Sequence, residues 1–169
     1  MADSAQTSSS NVTKLLEFFH LCEKLKTTKR TGWIYNNVEN PESISDHMYR
    51  MSILSLSVND PTLDRDKCVK MSIVHDLAEA IVEALRHMCN DLLGNSQQSQ
   101  EIYALWQEYE DATTKEAKFV RDIDKFEMIL QAYEYEQSQN KNLEEFFEST
   151  KGRFTHPEVK SWVEELYKN

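Results

Sequence analysis

Apolar positions recur with a helical period along most of this chain. Residues 12–25 place Leu15, Phe18, Phe19, Cys22 and Leu25 at i, i+3, i+4, i+7 and i+10, one face of an amphipathic helix. The period is lost over residues 26–40, which contain Gly32 and read as a loop. Pro41 opens a new signal, with Ser43, paired with Asp46, and Ser45 as N-cap candidates. The second helix takes Met48, Met51, Leu54 or Ile53, and Val58, and stops at Asn59-Asp60-Pro61. Asp64 or Asp66 caps a third helix, whose inward side is expected to hold Val69, Ile73, Leu77, Ala80 and Ile81. Residues 94–100 are polar and break the pattern. Further helices are predicted over about 101–109, over 115–139, and from His156-Pro157 to the C-terminus, where Pro157 suits a helix start. Residues 1–11, rich in Ser, Thr, Ala and Gln, are expected to form a disordered tail ahead of a single domain over 12–169.

Composition sharpens the fold class. The 169 residues include only 3 glycines and 3 prolines, far below average usage. A β-sandwich or barrel needs a turn signal every 8–12 residues or so, and these are missing. With 40% hydrophobic and 28% charged residues, the chain can bury a core. The expectation is an all-α, compact bundle of about six or more helices.

Charge narrows the partners. A net charge of −10 repels nucleic-acid phosphates and anionic membrane surfaces, so neither a nucleic-acid polymer nor a membrane is an expected partner. A small anionic substrate stays open, because a metal ion and one arginine reverse the sign locally. No window approaches the 18 or so apolar residues of a membrane span, and the first residues lack a secretory h-region. Cys22, Cys68 and Cys89 show no C-x-x-C spacing, which argues against a disulfide framework and a zinc knuckle. A reducing, cytoplasmic location is expected, with the nucleus as an intracellular alternative.

Candidate chemistry lies in two histidines. His47 falls in the first turn of the second helix, and His75 falls beside Asp76 in the middle of the third, among residues that read as buried. A lone buried histidine is more often a hydrogen-bonded core residue than a ligand, but a buried imidazole beside a carboxylate is costly unless paired or bound to a cation. On a helix, Glu79 stands at i+4 from His75 and i+3 from Asp76. Asp124 interrupts the apolar stripe of Val120, Ile123, Met128 and Leu130. Two histidines and two aspartates make a mixed nitrogen and oxygen set. It suits Mn, Co, Fe, Ni or Zn, tolerates Mg, and leaves positions open for water and substrate.

The order His47, His75-Asp76, Asp124 resembles the H…HD…D signature of the HD-domain superfamily of metal-dependent phosphohydrolases. Four blocks carry the likeness further: Arg30-Thr31-Gly32-Trp33, the stretch from Asn40-Pro41-Glu42 to Tyr49-Arg50-Met51, Val74-His75-Asp76-Leu77-Ala78-Glu79-Ala80, and Glu127-Met128-Ile129-Leu130-Gln131-Ala132. These resemble the eukaryotic HD domain-containing protein 2 group, related to bacterial 5'-deoxynucleotidases. The resemblance implies an HD-domain helical bundle that acts as a homodimer. It also implies hydrolysis of deoxyribonucleoside 5'-monophosphates with a divalent ion such as Co, Mn or Mg, and Zn, Fe or Ni are further ions the site would accept. By position, it makes His47, His75, Asp76 and Asp124 metal ligands, Glu79 the catalytic acidic residue, and Arg30 the phosphate-side base. Trp33 is a candidate to pack on sugar or base, with a surface or core aromatic as the equal alternative, and Asp122, two residues from Asp124, is expected to be solvated.

One departure stands out. The family follows its HD helix with a Gly-Asp-Ile-x-Pro turn and a lysine-rich loop, whereas here Val82 runs directly into Glu83-Ala84-Leu85. About twenty residues of the family pattern are missing, including an acidic active-site group. Two readings follow: a 5'-deoxynucleotidase, or a non-catalytic or impaired HD module that acts through protein contacts. A phosphohydrolase of triphosphates or cyclic dinucleotides fits the small size less well. A single rod across Val82–Glu83 is too long for a domain of this size, so Glu83 is expected to open a separate helix, beyond a mobile lid loop that the sequence skips.

Overall fold

A computed structural model describes residues 2–79, 88–94 and 96–168. The described residues form α1 (Ala2–Thr27), α2 (Thr31–Tyr35), α3 (Ile44–Ser57) and α4 (Arg65–Val74), then a π-helical segment (Met88–Leu92), α5 (Gln97–Asp111), α6 (Lys115–Gln139), α7 (Glu144–Thr150) and α8 (Pro157–Leu166). No strand occurs among them; Lys29 and Ser43 form an isolated antiparallel bridge. No helix among the described residues is long and apolar enough to cross a membrane.

Helix α3 begins where its caps dictate. The Ser43 side chain accepts from Asp46 N–H while Asp46 accepts from Ser43 N–H, a reciprocal capping box. The buried face is Ile44, His47, Met48, Met51, Ser52 and Ser55. Helix α4 starts at the Asp64 N-cap and approaches α3 closely at Ser55 and Ser72, whose hydroxyls lie 3.0 Å apart. Helix α6 packs on α3, α4, α5, α7 and α8. It is therefore buried around much of its girth, with Ala117, Val120, Ile123 and Ile129 all fully enclosed.

Several local expectations change. Helix α1 starts at Ala2, so residues 2–11, expected as a disordered tail, continue it; once a turn is nucleated, each added residue costs little. The expected loop over 26–40 contains α2, and a Cβ on Gly32 would meet the Phe146 ring at 3.3 Å. The inward side of α4 is Cys68, Met71, Ser72 and Val74, while Ile73 is 48% exposed. Small Ser72 sits in the seam with α3, which turns the helix about one position from the phase its bulkiest residues suggest. Helix α7 was not anticipated; Phe146 and Phe147 bury against α6 through Leu143, Ala132 and Tyr135. Ala80, Ile81 and the Val82–Glu83 junction, with the separate helix expected from Glu83, lie outside the described residues.

Candidate metal centre

Three elements bring the site together. The α3 capping box sets His47 one turn into the helix, α4 ends so that His75 is its C-cap, and Asp124 sits midway along α6. Because α3 and α4 both pack on α6, the three side chains converge. His75 is thus not mid-helix as expected. Residues 75–79 run through tight turns held by Leu77 N–H to Val74 O at 3.2 Å and Glu79 N–H to Asp76 O at 3.0 Å. The i+4 helical relation of His75 to Glu79 is replaced by that turn, which leaves Glu79 exposed.

Each imidazole has one nitrogen committed and one open. His75 Nδ1–H donates to Ser72 O at 3.0 Å, and His47 Nδ1–H donates to Glu127 Oε2 at 2.5 Å. In the neutral rings these partners fix the tautomers, leaving the lone pair on Nε2 of both. Both Nε2 atoms are buried without a hydrogen-bond partner. His47 Nε2 lies 3.2 Å from Asp124 Oδ1 and 3.7 Å from Asp76 Oδ2, and His75 Nε2 lies 3.2 Å from Asp76 Oδ2. Ligand atoms of His47, His75 and Asp124 all fall within 4.8 Å of one another. An ion about 2.1 Å from each ligand separates neighbouring ligands by roughly 3.0–3.4 Å. The donor set, with two orphaned buried nitrogens facing carboxylates, therefore fits a divalent cation.

Electrostatics agree with that reading. Burial lowers the affinity of His47 for a proton, but without an ion the carboxylates of Asp124 and Glu127 outweigh it and raise the pKa to about 9, so a cation at Nε2 would take the place of a proton there. Burial pushes Asp124 upward, yet His47, His75 and Arg30 hold it well below the usual carboxylate range. Desolvation first, and the charge of Asp76 second, raise Glu79 above its ordinary value. Arg30 NH1 donates to Glu42 Oε1 at 3.1 Å and Glu127 Oε2 at 3.2 Å, while NH2 lies 4.0 Å from Asp124 Oδ1. One edge of this guanidinium is anchored and another faces the ligands.

Two expectations are corrected here. Trp33 is 1% exposed, stacks with Tyr135 and Phe146, and donates its indole N–H to Glu42 Oε1 at 2.9 Å. It has no face open to a sugar or base; it backs the carboxylate that anchors Arg30. Asp122 is 1% exposed, not solvated; it accepts from the backbone of Thr155 and His156 at 2.6 Å and 2.7 Å. Sequence reasoning also missed Tyr109, whose hydroxyl donates to Asp124 Oδ2 at 2.8 Å and whose ring centroid lies 5.0 Å from that of His75. Desolvation and the charge of Asp124 raise the phenol pKa, so Tyr109 stays a donor.

Two buried histidines and two partly exposed aspartates converge on one centre, which places the chain in the class of helical domains with a candidate metal centre. The profile of the HD domain family matches residues 22–83 and 82–166, and this chain belongs to that family. The bovine protein named 5'-deoxynucleotidase HDDC2 is 43% identical over 183 aligned positions, covering 96% of this chain and 88% of its own length. The Dictyostelium discoideum protein of the same name is 45% identical, covering 89% of this chain and 95% of its own length. The crystal structure of PH0347 from Pyrococcus horikoshii is 34% identical with a TM-score of 0.70, covering 90% of this chain and 96% of that one. The two stretches of the family match meet at Val82–Glu83, and the bovine alignment leaves about twenty positions without a counterpart here.

Proposed function

We propose that this chain is a metal-dependent 5'-deoxynucleotidase, a phosphomonoester hydrolase that releases phosphate from deoxyribonucleoside 5'-monophosphates. The observation that carries the reading is the pair of buried, unpartnered Nε2 atoms of His47 and His75 turned toward Asp76 and Asp124, in a chain whose relatives bear that name. His47, His75, Asp76 and Asp124 would hold the ion, with Co or Mn favoured and Mg tolerated by a mixed imidazole and carboxylate set. When bound, the ion supplies Lewis acidity at the phosphoryl group and lowers the pKa of water.

The chain's own residues do the rest. Glu79, with its raised pKa, takes the proton from the attacking water. Arg30 NH2 neutralises a phosphate oxygen while NH1 stays on Glu42 and Glu127. Water adds to phosphorus, the bond to the 5' oxygen breaks, and Glu79 passes the proton it took from water to that oxygen, which leaves as the hydroxyl of the deoxynucleoside. Tyr109 keeps Asp124 from turning away. The active form is a homodimer in the cytoplasm; Leu16 and Phe19 on α1, 52% and 55% exposed, are apolar surface that a second copy would cover.

A second reading has its own support. The gap at Val82–Glu83 falls where the family resemblance places an acidic turn and a lysine-rich loop, which favours an impaired HD module that binds metal and acts through contacts. Phosphate release from dAMP and AMP is measured with Co, Mn or Mg and after chelation. Metal-dependent release favouring dAMP is expected. Tight Co binding without release would establish the impaired module, and absence of both would end the metal reading.

A further inference from the structure

The imidazole of His47 is held between two carboxylates one turn apart on α6. Asp124 Oδ1 lies 3.2 Å from Nε2, and Glu127 Oε2 lies 2.5 Å from Nδ1. Glu127 is fully buried. Its other oxygen, Oε1, accepts from Arg50 Nε at 2.9 Å and lies 2.8 Å from Arg50 NH2. Arg50 stands three residues after His47 on α3 and is itself braced by Glu134 at 2.7 Å and Gln131 at 2.8 Å. Oε2 also receives Arg30 NH1 at 3.2 Å. Glu127 thus contacts His47, Arg30 and Arg50 together.

We infer that Glu127, clamped by Arg50, is a positioning residue that sets the tautomer and ring orientation of His47 and ties them to Arg30. This rests on the metal reading of the site. A carboxylate presents two acceptors, and here both face N–H donors. With its Oε2 receiving Nδ1–H, the proton of a neutral His47 stays off Nε2, the nitrogen that faces Asp76 and Asp124. Arg50 holds Glu127 in that pose from the side away from the ring, so its effect on the ligand is transmitted without contact to it. Arg30 shares the same oxygen and its NH1 also lies 3.1 Å from His47 Nδ1, so Glu127 helps register the arginine assigned to the phosphate with the histidine assigned to the ion.

Glu127→Gln tests the inference because an amide offers one acceptor and one donor in the same volume. In either orientation an N–H faces an N–H, against His47 and Arg30 or against Arg50. The measurement is Co(II) affinity by equilibrium dialysis, with the visible absorption of bound Co(II) and the unfolding temperature of the metal-free protein. Glu127→Gln is expected to weaken Co(II) binding about 10- to 100-fold and to alter the spectrum. Arg50→Ala should shift both in the same direction, and Arg50→Lys, which keeps the charge, should recover part of the loss. Glu148→Gln, a surface carboxylate on α7 paired with Lys151 at 3.0 Å, should leave both readouts unchanged. Should Glu127→Gln fail to fold, the Arg50 pair decides alone. Wild-type affinity and spectrum in Glu127→Gln or in Arg50→Ala, alongside lost binding in His47→Ala, would overturn the positioning role and leave the metal site standing. A wild-type protein that takes up no Co(II) would overturn both.

Discussion

Asp122 and Asp124 are two residues apart on α6, and amide substitution should separate a structural carboxylate from a metal ligand. Asp122 Oδ2 accepts from Thr155 N–H at 2.6 Å, Thr155 Oγ1–H at 2.9 Å and His156 N–H at 2.7 Å, and Oδ1 pairs with Lys125 Nζ at 3.1 Å. His156 is the N-cap of α8 and makes no side-chain cap bond of its own. Asp122 therefore caps α8 from another helix, and its charge meets the positive end of the α8 dipole. In Asp122→Asn the carbonyl oxygen can keep the Thr155 and His156 bonds, but the amide group then faces Lys125. Hydrogen bonds to a charged group contribute about 1.5–3 kcal/mol and neutral ones about 1 kcal/mol. Weakening this buried set should cost about 2–3 kcal/mol, or about 4–12 °C in Tm for a chain of this length.

The assay is thermal unfolding by circular dichroism in the presence of chelator, paired with Co(II) affinity on the folded protein. Asp122→Asn should lower Tm and keep wild-type Co(II) affinity, while Asp124→Asn should lose Co(II). An Asp122→Asn protein that melts within about 1 °C of wild type would refute the trans-cap argument. One that keeps its Tm but loses Co(II) would move the ligand from Asp124 to Asp122.

Glu79→Gln should retain Co(II) affinity and lose about 10²- to 10⁴-fold in turnover, read as phosphate release from dAMP, because an amide cannot take the proton from water; equal turnover would remove Glu79 from the mechanism. Asp76→Ala should lose the metal itself, and the Tm gain on adding Co(II) should vanish with it, because that gain is the linkage of binding to folding. The carboxyl of Asp46 is held below its ordinary pKa by the N–H and hydroxyl of Ser43. Its contribution, about 0.3–1 kcal/mol at a helix start, is then full above pH about 4 and is lost as pH falls through the depressed value. The Tm difference between wild type and Asp46→Asn should close below that point, and a difference constant from pH 7 to pH 2 would contradict the capping assignment.

What the sequence revealed divides along physical lines. Helices α3 and α8 were legible because local chemistry fixes their starts, a Ser43 and Asp46 capping box and Pro157 at the first turn, and α6 because an apolar stripe runs through Val120, Ile123, Met128 and Leu130. The convergence of His47, His75 and Asp124 was legible because polar residues on apolar stripes demand partners. The phase of α4 was not, since a small residue at the α3 seam outweighed Val69 and Ile73, and seam packing is a tertiary property. The roles of Glu127, Tyr109 and Asp122 were hidden for the same reason. Their partners stand 80, 15 and 33 residues away. A signal for Glu127 did exist, three residues after Asp124 on the same buried stripe, and a second enclosed carboxylate there needs cations as much as the first.

Metal binding and turnover are separable in this chain because of where each ligand obtains its orientation. His75 is aimed by Ser72, His47 by Glu127, and Asp124 by Tyr109. All of these residues lie on α3, in or at the end of α4, or on α5 and α6, outside the stretch of sequence around Val82–Glu83 where the family match divides. The ligand set is therefore expected to hold its ion whatever the missing stretch contributes. Substrate capture is a different matter. With a net charge of −10, the chain as a whole repels a phosphate dianion, and the lysine-rich loop that the family resemblance implies has no counterpart here. The ion and the free edge of Arg30 must then supply the local attraction. Arg30 is already shared with Glu42 and Glu127. Loss of the ion should therefore remove substrate binding as well as chemistry, so that KM for dAMP, and not only kcat, follows metal occupancy.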